Sequence, residues 1–169
     1  MKKCLSLLLC LALMLPTSSH AMAATVSTSD SPDRLPVGQP GVYAPRASNI
    51  PDTEGSLPYN ATISNLMAGY YTYTKYYFKP GDSTLRILGT MYPCSGNTTS
   101  ANCVEFQLYQ KGNSEMISSY RTEEFENGGG VAHTFENLKP AGEYFFVVKN
   151  VCDNATGKYS AVEGEFLID

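Results

Sequence analysis

From about Thr62 onward the chain runs as short stretches of β-branched and aromatic residues separated by Gly, Asn, Pro and Asp, with no long amphipathic helix. Two stretches alternate cleanly. Leu85, Ile87, Gly89 and Met91 fall on one side of an extended chain, and so do Val104, Phe106 and Leu108, with Glu105 and Gln107 pointing the other way. Strands that are dry on one face and wet on the other complete a core only by pairing in sheets that stack face to face. Strands are expected at Tyr70 to Lys79, Thr84 to Tyr92, Cys103 to Tyr109, Glu115 to Phe125, Val131 to Leu138, Glu143 to Cys152 and Lys158 to Ile168, with a weaker one near Ala61 to Leu66. The separators suit turns: Pro80-Gly81-Asp82, Lys111-Gly112-Asn113 and Asn127-Gly128-Gly129-Gly130. The expected fold is all-β, a single antiparallel β-sandwich, jelly-roll-like or immunoglobulin-like, of seven or eight strands over residues 61–169.

The other end of the chain sets a compartment. Lys2 and Lys3, an apolar run from Leu5 to Leu15 and the small residues closing at Ala21-Met22-Ala23 read as a secretory signal peptide over residues 1–23. A secreted, extracellular protein beginning near Ala24 is expected. Cleavage removes two lysines and leaves 10 basic residues against 16 acidic, which moves the formal charge from -4 to about -6. With no Lys/Arg run, nucleic acid is an unsuitable partner. No later segment reaches the roughly 20 apolar residues of a membrane span, so no membrane partner is expected after cleavage. Leu9 before Cys10 is too bulky for lipoprotein processing, and Leu35-Pro36-Val37-Gly38 lies far from where a wall-sorting signal sits.

Between these parts Pro32, Pro36, Pro40, Pro45, Pro51 and Pro58 recur among Ser, Thr, Asp and Gly with no hydrophobic period. Such composition does not offset its own ordering entropy, so residues 24–60 are read as a Pro/Ser-rich disordered linker. The rival is a segment lying along the domain through Val42, Tyr43 and Ile50.

Three places carry a family resemblance: Tyr77-Phe78 before a Gly turn with Leu85 and Ile87; Val104-Glu105-Phe106-Gln107-Leu108-Tyr109 before Gly112; and Phe135, Leu138, Gly142, Tyr144 and Val147-Val148. Together they resemble the bacterial pre-peptidase C-terminal domain, a jelly-roll-like sandwich carried by secreted peptidases and other exported proteins. Leu138-Lys139-Pro140 with Tyr144 also resembles the loop and tyrosine corner of fibronectin type III domains. Both resemblances imply an extracellular β-sandwich, and neither brings a catalytic residue; no cofactor is expected for this chain.

Little in the sequence carries reaction chemistry. Cys94, Cys103 and Cys152 survive cleavage and, if the strands alternate direction, lie at one end of the sandwich. A Cys94 to Cys103 disulfide is expected, since closing that polar loop stabilises by about 2.7 kcal/mol on the chain-entropy estimate. Cys152 is then buried or bridges a second molecule. No metal site is expected: the cysteines and His133 lack paired C-x-x-C spacing, and Asp82, Asp153 and Glu126 lack the close spacing of a calcium loop. His133 is the sole histidine of the mature chain, and a hydrolase centred on it is the least favoured reading. Glu123, Glu124 and Glu126 are read as charges that block edge-to-edge pairing of a strand.

Two groups remain as candidate contacts. The run through Tyr70, Tyr71 and Tyr73 places tyrosines on both faces of one strand, so part of it forms an exposed stripe. The loop residues Asn97, Thr98, Thr99 and Ser100 offer an adaptable polar surface at the cysteine end. The expected role is a non-catalytic module for extracellular protein or surface interaction, with glycan binding through the tyrosine stripe as the alternative. The sequons at Asn60, Asn97 and Asn154 are expected to be unused behind a bacterial-type signal.

Overall fold

Among the described residues, alternating side chains and turn residues produce ten strands. They are β1 (Asp33–Arg34), β2 (Gln39–Pro40), β3 (Tyr59–Met67), β4 (Tyr70–Tyr73), β5 (Leu85–Pro93), β6 (Val104–Gln110), β7 (Met116–Arg121), β8 (Gly129–Phe135), β9 (Tyr144–Asn150) and β10 (Ala161–Ile168). The structure, a computed structural model, describes residues 31–46, 48–95, 101–152 and 160–169. One sheet has the order β1-β3-β10-β5-β8 and the other β2-β4-β9-β6-β7. Between these named strands the pairings are antiparallel except that of β1 on β3, and an isolated parallel bridge joins Glu54 to Tyr77.

Leaving aside the two-residue β1 and β2, the first long strand lies beside the last and the second beside the next to last. That nesting is a jelly roll rather than an immunoglobulin fold. The strand count exceeds the seven or eight expected because the proline-rich segment supplies β1 and β2.

Between the sheets, Ile63, Ile87, Met91, Phe166 and Ile168 of one meet Val104, Phe106, Leu108, Phe146 and Val148 of the other. Burial of each such side chain stabilises by about 1.5–3 kcal/mol. Position 89, paired with Phe166, has no room for a side chain: a Cβ there would lie 2.2 Å from the Glu165 carbonyl oxygen and 2.8 Å from Phe166 Cβ. The Lys139 amide donates to the Tyr144 hydroxyl at 2.9 Å, so the tyrosine pins the loop before its own strand. This is tyrosine-corner geometry within a jelly roll.

From Pro32 onward the segment read as disordered linker is built into the domain. Leu35 enters the main core, β1 pairs with β3, and β2 pairs with β4. Between them the Thr72 hydroxyl donates to the Pro36 carbonyl at 2.7 Å. Further on, the Tyr77 amide donates to Thr53 O at 3.0 Å and the Gly55 amide to Tyr77 O at 2.8 Å. The segment is a strap that closes one lateral side of the sandwich by crossing from sheet to sheet. Its pairings span only two residues each, too short to show a period, and Pro40, the one proline within them, sits in an edge strand, where proline is tolerated.

Candidate functional site

The tyrosine run divides by strand parity. Tyr70 packs toward the main core, while Tyr71 and Tyr73 lie on the outer face of their sheet with Tyr109, Phe145 and Val147. The strap covers that face. Tyr43 is only 4% exposed, and its ring stands edge-on to Tyr71 at 5.4 Å, to Tyr109 at 5.0 Å and to Phe145 at 6.1 Å between centroids. Its hydroxyl donates to Asn49 O at 3.0 Å. Burial, and then the neighbouring hydroxyls of Tyr109, Tyr73 and Tyr71, push the Tyr43 pKa up. The expected exposed stripe is thus the floor beneath the strap: Tyr71 is buried, and Tyr70 and Tyr73 are partly buried. Of the rival docking residues, Tyr43 and Ile50 pack here and Val42 points to solvent.

All three cysteines stand at one end of the sandwich, after β5, before β6 and after β9. The expected Cys94 to Cys103 bridge is not formed, and all three thiols are free. Strand parity gives the reason. Cys94 continues β5 beside Ala161 on the outer face of one sheet, where burial and the Glu163 carboxylate push its pKa up. Cys103 precedes inward-facing Val104 and therefore points to the outer face of the opposite sheet. There its thiol donates to Thr122 O at 3.2 Å and accepts from Arg121 Nε at 2.9 Å. Cys152 faces inward and donates to Ala101 O at 2.8 Å. Stacked sheets lie about 10 Å apart, so thiols on the two outer faces are beyond bonding reach. Asn97, Thr98, Thr99 and Ser100 lie outside the described residues, as do the Asn97 and Asn154 sequons.

On the lateral side opposite the strap, β7 and β8 are the edges of the two sheets. His133 of β8 stacks on Tyr120 of β7 with centroids 4.6 Å apart and planes 9° from parallel, and its ring stands edge-to-face with Phe135 at 4.7 Å. These ring contacts join the two sheet edges. Among the described residues no three or more His, Cys, Asp and Glu side chains come together to hold a metal ion.

The acidic run read as guarding this edge falls beyond it. β7 ends at Arg121, so Glu123, Glu124 and Glu126 follow the strand and leave Met116 to Tyr120 without a charge. Met116 and Ile117 are 44% and 42% exposed, and Ser118 and Ser119 are exposed beside them. A register shift opposite Tyr109 places Met116 against that residue and Ser118 against Leu108. The sequence reading missed this edge, although the uncharged stretch from Met116 to Tyr120 is visible in it. Compared with known proteins, the chain matches no protein-family model and no curated protein sequence.

Proposed function

We propose that the chain is a secreted, non-catalytic β-sandwich module that binds an extracellular protein through the β7 side of the sandwich. The observation that carries this reading is the uncharged edge from Met116 to Tyr120, with two large apolar side chains exposed. An uncovered strand edge offers backbone donors and acceptors to another chain, and exposed apolar neighbours add contact area. The jelly-roll order is compatible with the resemblance to pre-peptidase C-terminal domains, which accompany exported proteins. Glycan binding is less favoured because Tyr71 lies under Tyr43, so sugar stacking requires the strap to leave.

The test uses immobilised mature protein, residues 24–169, to capture ligands from the native extracellular fraction. Capture should fall at least about tenfold in Ile117→Lys and stay unchanged in His133→Ala. Capture insensitive to Ile117, or turnover of a substrate that requires His133, overturns the reading.

A further inference from the structure

We propose that β8, an edge of the first sheet, pairs antiparallel with β8 of a second copy of this chain about a twofold axis at Ala132. The pairing concerns the sheet opposite β7 and does not rest on the reading of β7 as a capture surface. Three observations carry it.

The first is how the sheets end. Their edges are β1 and β8 in one and β2 and β7 in the other. β1 and β2 are two residues long, too short to template a further strand, and β7 shifts register around Ile117. β8 is the edge that is both long and regular. It runs from Gly129 to Phe135 in unbroken register with β5 and holds no proline, lysine or acidic residue. Among the described residues no strand pairs with its other side.

The second is hydrogen-bond parity. The Arg86 amide donates to Asp169 O at 2.8 Å, the Asp169 amide to Arg86 O at 3.0 Å, and the Cys94 amide to Ala161 O at 2.9 Å. Even-numbered residues of β5 therefore direct their backbone groups to β10, and Leu85, Ile87, Gly89 and Met91 direct theirs to β8. Their partners Phe135, His133, Val131 and Gly129 are satisfied by β5, which leaves Gly130, Ala132 and Thr134 turned outward. All three are exposed. Antiparallel pairing about Ala132 sets Ala132 against the partner subunit's Ala132, and Gly130 against the partner subunit's Thr134. Every pair then joins outward-directed groups. Thr134 has room in it, because a Cβ at Gly130 would meet nothing within 4 Å.

The third is a polar match on the outer face. A Cβ at Gly128 would lie 3.0 Å from Cε1 and 3.1 Å from Cδ1 of Tyr92, so the Tyr92 ring leans from β5 over Gly128 toward the free edge. It is 47% exposed there. The same register sets Gly128 against the partner subunit's Glu136, an exposed residue of the same parity as Thr134. The Tyr92 hydroxyl donates to that carboxylate, and the twofold makes the bond twice. A slip of one residue breaks the backbone parity. A slip of two sets Glu136 against the partner subunit's Glu126 in one direction, and in the other moves it from the partner subunit's Tyr92 to the partner subunit's Thr90.

Sedimentation velocity of the mature protein, in reducing buffer to prevent thiol-linked pairs, tests the proposal. The wild type should show a concentration-dependent dimer. Ala132→Pro removes an amide that β5 does not use and should abolish the dimer. Ala132→Lys, which opposes two like charges at the axis, is the second probe should the proline variant fail to fold by circular dichroism. Tyr92→Phe and Glu136→Ala should each raise the dimer dissociation constant about tenfold, and the double variant should be no weaker than either single one. A monomer at every concentration overturns self-pairing. A dimer that survives a folded Ala132 variant overturns the use of β8. A dimer lost in the Ala132 variants but indifferent to Tyr92→Phe and Glu136→Ala overturns the register.

Discussion

The ring of Tyr43 meets the ring of Tyr109 edge-on at 5.0 Å, joining the proline-rich strap to the outer face of β6. Between Gly41, whose amide donates to Gly69 O, and Thr53, which accepts from the Tyr77 amide, the strap folds largely on itself. The Asn49 amide donates to Arg46 O, and the Asn49 side chain donates to Ala44 O. Tyr43, with Ile50 packed beside it, thus anchors this stretch to the sheet.

Replacing Tyr43 with Ala should therefore loosen the strap before the sandwich. Loss of a large buried ring costs about 3 kcal/mol where the surroundings do not collapse around it. Native proteolysis should cut between Val42 and Asp52 several-fold faster in the variant, with the fragment from about Tyr59 onward still resistant. Wild-type protein cut equally fast there would show that Tyr43 does not hold the strap.

Alkaline pH should release the same segment. Burial keeps Tyr43 neutral and raises its pKa above the ordinary tyrosine value of about 10. A raised folded-state value means that docking is fully stable below the unfolded pKa and weakens as pH climbs through the folded one. Strap cleavage should accelerate above about pH 10 together with the rise of tyrosinate absorbance. Tyr43→Phe should blunt that acceleration, and an identical pH profile in the variant would assign it to another group.

The thiols should differ in reactivity. Cys94 is partly exposed, whereas Cys103 and Cys152 are buried at 1% and 6% exposure. Alkylation of the native protein should modify Cys94 first and slowly, because burial and Glu163 disfavour its thiolate. Cys103 and Cys152 should need denaturant. Non-reducing peptide maps that join Cys94 to Cys103 would contradict the outward, opposed positions of the two side chains.

The strands were legible where alternation is strong. Val104, Phe106 and Leu108 declare the inner face of β6, and Leu85, Ile87 and Met91 that of β5. The shared end of the cysteines follows from strand direction alone, but their pairing depends on parity as well. Cys94 sits an odd number of residues after inward Met91, and Cys103 one before inward Val104, which assigns both to outer faces. Which strands share a sheet decides whether those outer faces are the same one, and that is set by non-local pairing. Tyr43 was hard to read for a different reason. Periodicity detects segments that bury many residues in turn, and this strap docks by scattered contacts at Leu35, Tyr43 and Ile50. The acids after Arg121 misled because strand ends are less clear in sequence than strand centres.

The adjacency of β3 and β10 also governs the order of assembly. In its sheet β3 has only the two-residue β1 on one flank, and on the other it needs a strand from the far end of the chain. β5 likewise waits for β10 before it is linked to β3. Contacts of such long sequence separation delay folding, because loop closure precedes the reward of pairing. A polypeptide emerging from its N-terminus cannot complete this sheet stepwise. It stays open until Ala161 to Ile168 slide between β3 and β5 as the keystone.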